Sequence, residues 1–184
     1  MTRKIIYLLI IITGLYYCYA QNIEKSINIG ISEPTGSNSP YWELRPSLSG
    51  HLFYSDSGKF MFGGHIGIHR WISKPDRLKE KYNNNLEGIN IDSYGLVFEF
   101  IPSVRYILDK SKDAYFFTQG GFGFFTRKFE TEKIFINSLG VNLGGGFVLT
   151  IFNKINPEVT VLYNIILGED ERFQYFSLNT GVNF

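Results

Sequence analysis

Apolar and polar residues alternate along most of the chain, and no stretch after the first twenty residues shows a helical period. In the final stretch, YFSLNTGVNF, one face is apolar apart from Thr180, and the other consists of small polar residues and Tyr175. Side chains of a strand point alternately to opposite faces, so this pattern indicates a strand with two unlike surfaces. Terminal residues normally fray, and a pattern that continues to Phe184 therefore predicts a strand paired on both sides.

Eight segments of this kind follow one another. The predicted strands are 26–32, 41–54, 60–71, 94–106, 115–125, 138–149, 158–165 and 175–184. The connections alternate in length, with tight turns at 55–59, 109–114 and 152–156, longer loops at 33–40, 72–90 and 127–135, and a short one at 168–171. An even number of strands with this alternation predicts an all-β fold, an antiparallel up-and-down transmembrane barrel of eight strands.

The composition of the two faces distinguishes a barrel in lipid from a water-soluble, lipocalin-like barrel with an apolar interior. A strand surface in water usually has Lys, Glu and Thr, whereas the polar face here consists mostly of Gly, Ser and Asn, which fit the narrow interior of an eight-stranded barrel. The charged residues within strands also lie on the polar face. Because Arg or Lys on a lipid face costs about 2–4 kcal/mol, the apolar face is predicted to contact the membrane.

Aromatic residues gather near the predicted strand ends. They are Trp42, Tyr94 and Tyr163 at the longer-loop end, and Tyr54, Phe60, Tyr106 and Phe184 at the tight-turn end. This distribution is typical of the aromatic girdles at the two membrane interfaces.

The first twenty residues predict a cleavable signal peptide, because Arg3 and Lys4 precede a short apolar run and Ala20 offers a small residue at the cleavage site. A lipoprotein signal at Cys18 is the alternative. Residues 21–184 would then form one barrel domain with 16 basic and 17 acidic residues and no cysteine. This near-neutral balance gives no indication of a nucleic-acid partner.

The C-terminal stretch FSLNTGVNF resembles the signal by which bacterial outer-membrane barrels are recognised during assembly. The residues that match it are Phe176, Leu178, Gly181, Val182 and Phe184. The segments RPSLSGHLFYSDSGKFMFGGHIGI and IPSVRYIL are similar to the outer membrane protein β-barrel domain of the OmpA/OmpX-like type. The resemblance implies an integral outer-membrane location. It also implies contact with outer-membrane lipid and lipopolysaccharide, and delivery by periplasmic chaperones to the barrel assembly machinery.

Charged and histidine residues on the polar face form the candidate site. We expect one polar network in the barrel interior, formed by Glu43, Arg45, His65, Glu99, Arg105 and Glu158. Buried charges are tolerated only when they are paired, so a structural role is the first interpretation. A gated ion path or a proton relay is the functional alternative. An interior packed with these side chains leaves no continuous pore.

Other candidate chemistry is weaker. His65 and His69 are four residues apart in one predicted strand, about 13 Å along it, too far to ligate one metal ion. A lipid-modifying barrel enzyme would need a histidine such as His69 beside a nucleophile, and no Ser/His/Asp grouping is recognisable. Gly120, Gly121, Gly123 and Gly144–Gly146 lie within predicted strands and do not form a phosphate loop. No catalytic residue, cofactor or metal is therefore predicted, and loop 72–90 is the candidate site for an extracellular ligand.

Overall fold

The computed structural model describes residues 23–36, 42–55, 58–74, 94–111, 113–129, 135–151, 155–168 and 173–184. The predicted signal peptide lies outside this range, and so does loop 72–90 apart from its first three residues. The described residues form eight barrel strands and one two-residue strand, Trp42–Glu43, before the second of them. The barrel strands are β1 (Ile23–Thr35), β2 (Arg45–Ser55), β3 (Phe60–Ser73), β4 (Tyr94–Lys110), β5 (Ala114–Phe129), β6 (Ile136–Leu149), β7 (Asn156–Leu167) and β8 (Phe173–Asn183).

Every barrel strand pairs antiparallel with its sequence neighbours, as the up-and-down prediction requires. β8 also pairs with β1 over the register from Ser26 opposite Asn183 to Thr35 opposite Gln174, which closes the sheet. Two backbone hydrogen bonds between Lys25 and Phe184, of 3.1 and 2.8 Å, extend this seam to the last residue. The prediction that the C-terminal strand is paired on both sides is thus confirmed. Closure leaves no unpaired edge along the barrel strands.

Strand parity separates the two faces as predicted. Large apolar side chains at alternate positions point outward, and Ile29 (65% exposed), Phe124 (62%) and Leu143 (61%) are among the most exposed. The intervening positions point inward and are mostly buried. Aromatic side chains also flank the outer surface near strand ends, where the Phe60 and Tyr106 rings lie 4.9 Å apart and the Tyr163 and Phe176 rings 4.6 Å apart.

The strands are longer than the alternation predicted, and the turns are correspondingly shorter. Asp109 and Lys110 belong to β4, and Ala114 begins β5. The predicted turn 109–114 is therefore shortened to the residues between Lys110 and Ala114. Ser111 closes this turn, because its backbone N–H donates to the Ala114 carbonyl at 2.8 Å and its Oγ accepts from the Ala114 N–H at 3.0 Å. Among the described residues, no helix has the length and hydropathy needed to cross a membrane.

Candidate functional site

The six residues predicted to form one interior network occupy three separate places. Glu43 and Arg45 pair with each other at the long-loop rim, where their side chains are 43% and 39% exposed. His65 and Glu99 meet in the buried interior, and the pair formed by Arg105 and Glu158 lies closer to the tight turns.

The first interior group, the histidine–glutamate cluster, consists of His51, His65, His69, Glu99 and Tyr175. Glu99 accepts hydrogen bonds at Oε1 from Nε2 of His65 (2.5 Å) and of His69 (3.0 Å). Its Oε2 accepts from the Tyr175 hydroxyl at 2.5 Å. His51 Nδ1 lies 3.1 Å from His65 Nδ1. Each of the five residues is at most 6% exposed, so this carboxylate is held by three donors away from solvent.

The rings of His65 and His69 converge, although their spacing in the sequence predicted a separation of about 13 Å along the strand. Their backbones are four residues apart, yet both rings reach the same carboxylate oxygen, because both side chains point inward and lean toward Glu99. Gly67, midway between them, is the cross-strand partner of Glu99. A Cβ atom on Gly67 would collide with the Glu99 side chain. The missing side chain therefore provides the space in which the carboxylate sits.

The Glu99 carboxylate determines which ring nitrogens of the cluster carry a proton. A carboxylate only accepts hydrogen bonds, so Nε2 of both His65 and His69 must be protonated. His65 Nδ1 then accepts from His51 Nδ1–H when His65 is neutral. Within the described part of the chain, no three His, Cys, Asp or Glu side chains are placed to hold a metal ion.

The second interior group, the arginine–glutamate cluster, is centred on Arg105. Its Nη2 donates to Glu158 Oε1 at 2.9 Å, and its Nε and Nη2 donate to Gln119 Oε1 at 3.3 and 3.2 Å. The guanidinium carbon lies 3.7 Å from the Phe117 ring centroid and 4.5 Å from that of Phe53. Arg105 is 1% exposed and Glu158 is fully buried. Ion pairing and two aromatic faces thus compensate for the removal of this cation from water.

Glu24 links this cluster to the closing seam. Its carboxylate accepts from the Tyr115 hydroxyl and, at 3.1 Å, from Asn183 Nδ2, and it lies 3.8 Å from Arg105 Nη1. Asn183 also donates to Glu158 at 3.4 Å. The cluster therefore connects the first and last strands from inside the barrel.

Two aromatic clusters inside the barrel were not predicted from the sequence. The long-loop aromatic cluster comprises Trp71, Val97, Ile101, Phe125, Ile166, Phe173 and Tyr175. The tight-turn aromatic cluster comprises Phe53, Met61, Ile107, Tyr115, Phe117 and Val148. Trp42, predicted for the outer girdle, instead packs partly buried against the long-loop aromatic cluster. Parity alone would have assigned Val97, Ile101 and Phe117 to the inside, since they share a face with Glu99 and Gln119.

The five predicted assembly residues occupy both faces of β8. Phe176, Leu178, Val182 and the following Phe184 point outward and are 40–50% exposed. Gly181 points inward, where a Cβ atom would meet Ile27 and Asn28 of β1. Their role in assembly stays a prediction.

The closed sheet and its filled interior define the class: a small, eight-stranded antiparallel β-barrel, which is the fold of small outer-membrane barrel proteins. Among solved structures, neisserial surface protein A is 10% identical and superposes with a TM-score of 0.63, over 89% of this chain and 96% of that one. The N-terminal β-barrel domain of Pseudomonas aeruginosa OprF is also 10% identical, with a TM-score of 0.52 over 89% and 98% of the two chains. These similarities concern the fold. No protein-family model and no curated protein sequence matches the chain.

Proposed function

We propose that the protein is an integral outer-membrane barrel with a non-enzymatic structural or surface-interaction role and an interior closed to general diffusion. The observation that supports this most directly is the inversion of polarity, with exposed apolar side chains around the outside and paired charges inside. A water-soluble monomer rarely exposes a contiguous apolar surface of this extent, whereas lipid favours it. The fold shared with outer-membrane barrels supports the same location.

The packed interior supports the absence of a general pore. Arg105 lies against Phe53 and Phe117 of the tight-turn aromatic cluster, Glu99 is bonded to Tyr175 of the long-loop aromatic cluster, and Glu158 pairs with Arg105; all three charged residues are at most 4% exposed. Among the described residues, these buried charges and the two aromatic clusters contribute interior side chains at both ends of the barrel, which supports a closed interior. Solutes that cross a general porin need a water-filled channel, which eight strands packed in this way do not leave.

The two alternatives fit less well. A lipid-modifying enzyme would have to present its reactive groups to a substrate, but His69, Glu99 and Tyr175 are enclosed. A lipocalin-like carrier would have its apolar side chains around a ligand cavity, and here the exposed ones face outward.

The experiment that tests the proposal combines membrane fractionation with a gel of boiled and unboiled samples. We expect the protein in the carbonate-resistant outer-membrane fraction, with a band that shifts on boiling and no steady conductance after insertion into planar bilayers. A soluble periplasmic band without a shift would overturn the membrane location. Single-channel steps of porin size would overturn the closed interior, and a lipid A mass spectrum altered by the protein but not by its His69→Ala variant would restore the enzyme hypothesis.

The surface-interaction part of the proposal rests on loop 72–90, the longest connection in the sequence. Loops on a rigid barrel commonly bind partners. Deletion of residues 77–88 should retain the heat-modifiable band and reduce adhesion of expressing cells to host cells or matrix proteins. Unchanged adhesion with a folded barrel would leave only the structural role.

A further inference from the structure

His51 and His65 form a cross-strand pair in the barrel interior, and their contact has room for a single proton. The two residues are register partners on β2 and β3. Their Nδ1 atoms lie 3.1 Å apart and their ring centroids 4.6 Å apart. A hydrogen bond between two ring nitrogens needs one N–H and one lone pair. The pair can therefore be neutral or carry one positive charge. With two positive charges, both Nδ1 atoms would carry a proton and the two N–H groups would point at each other.

The side chains around this pair supply one negative charge. Among the described residues, the charged and titratable groups next to it are His69 of β3, Glu99 and Arg105 of β4, and Tyr175 of β8. Glu99 is the anion of this group, and its carboxylate also accepts from His69 and Tyr175. Arg105 repels a positive charge on His51, and its own partner is Glu158. His51 and His65 are 6% and 0% exposed, so water does not screen the repulsion between two added charges.

The histidine–glutamate cluster is also in contact with the long-loop aromatic cluster. The His69 ring stacks on Trp71, with centroids 5.9 Å apart and an interplanar angle of 16°. The centroid of the Tyr175 ring lies 4.8 Å from that of His69 and 5.1 Å from that of Trp71. Because Glu99 binds both His69 and Tyr175, a change in its position also changes the packing around Trp71.

We propose that the His51–His65 pair is an acid-sensitive switch for the long-loop end of the barrel interior. At neutral pH the pair shares one proton and Glu99 keeps its three donors. In acid the pair takes up a second positive charge, its rings separate, and the change reaches Trp71 through Glu99. The closed sheet is retained, because its backbone hydrogen bonds do not involve these side chains. The switch goes beyond the proposed function, since it depends on the barrel interior and not on where the barrel is located.

Acid should destabilise the folded barrel through this pair. In the unfolded chain both histidines are charged well below about pH 6.5, whereas the folded pair holds at most one of these charges. The unfolded state therefore binds one more proton, and the folded state loses stability as the pH falls. A difference of one proton raises the unfolding equilibrium constant about tenfold for each pH unit.

Tryptophan fluorescence of the purified full-length barrel in detergent, from about pH 7.5 to about pH 4.5 and with and without urea, tests the switch. Both tryptophans report on it, because Trp71 belongs to the long-loop aromatic cluster and Trp42 packs against that cluster. Without urea we expect a reversible change in emission while the unboiled band keeps its folded mobility. His51→Gln should remove that change and about one proton from the pH dependence of unfolding, since an amide donates or accepts without taking a charge.

His69→Gln is the matched control. It retains an N–H donor for Glu99 and leaves the contact between His51 and His65 in place, so its pH dependence should stay as steep as that of the wild type. Equal pH dependence of the wild type and His51→Gln overturns the switch, and so does an equal loss in both variants. An emission change that coincides with loss of the folded band also overturns it, because the effect is then global unfolding.

Nitrogen NMR of the histidine rings in the wild type tests the pair without a substitution. One Nδ1 of the pair should be protonated and the other unprotonated until the emission changes. Two protonated Nδ1 atoms with unchanged emission would contradict the proposal.

Discussion

Gly67 and Glu99 are cross-strand partners inside the barrel, and the carboxylate of Glu99 occupies the space that a side chain at position 67 would need. The hydrogen bonds from His65, His69 and Tyr175 depend on that placement. A buried carboxylate that loses its donors is costly. The backbone at Gly67 and the polar cluster therefore form one unit.

Gly67→Ala should destabilise the barrel by about 1–3 kcal/mol, because overpacking displaces Glu99 from its donors. Gly64→Ala is the matched control on the same strand, since position 64 points outward into open space. Urea unfolding in detergent, followed by tryptophan fluorescence, measures both. Equal midpoints for the two variants would show that Glu99 relaxes without loss.

Arg105 and Glu158 form a buried ion pair, and removal of one partner should be more damaging than removal of both. Arg105→Met leaves Glu158 buried without its cation, so we expect a loss of about 3–5 kcal/mol in the free energy of unfolding. Arg105→Met/Glu158→Gln should recover a large part of that loss. The same unfolding assay measures both.

The exposed pair at the long-loop rim is the control for this experiment. Arg45→Gln removes a cation whose side chain is 39% exposed, so its effect should stay below about 1 kcal/mol. An effect of Arg105→Met as small as that of Arg45→Gln would contradict a stabilising role for the interior pair.

Alternation in the sequence was sufficient to predict the eight strands, their closure into a barrel, and the face of the sheet on which Glu99 and Arg105 lie. It could not predict how far along the barrel axis each of these residues lies, because that position depends on the register between strands, such as Gly67 opposite Glu99. Hence the sequence grouped Arg45 with Arg105, although they pair with different carboxylates.

Adjacent identical residues are a further reason why the sequence did not predict the interior aromatic clusters. In YFFTQGGFGFF, Phe116 and Phe117 are adjacent and identical, yet Phe116 is 52% exposed and Phe117 is 2% exposed. Periodicity cannot choose between two identical neighbours. Only the parity of nearby polar residues such as Gln119 identifies the inward one.

The proposed membrane location predicts how the outer surface responds to charge. Leu143→Arg places a cation at an outward position, 61% exposed, in the middle of β6. In lipid this should destabilise the barrel by about 2–4 kcal/mol. Refolding into phospholipid vesicles at graded urea concentrations measures the loss.

Ile151→Arg provides the comparison, because Ile151 is equally exposed, at 60%, but lies beyond the end of β6. Its effect should be about 0–1 kcal/mol, as expected near an interface. In a water-soluble barrel both substitutions would be tolerated alike, so equal and small effects would argue for that alternative.

Phe184 has a backbone paired with Lys25 and an outward ring that is 50% exposed. Two variants separate the contributions of the backbone and the ring. Phe184→Ala retains both backbone hydrogen bonds and removes only the ring, whereas deletion of Phe184 removes both. If the ring is part of an assembly signal, Phe184→Ala should reduce the heat-modifiable band in cells several-fold while refolding in detergent remains close to that of the wild type. The deletion should impair both measurements, because the closing seam loses its last pair. Equal amounts of folded wild type and Phe184→Ala in cells would mean that the terminal residue acts through its backbone alone.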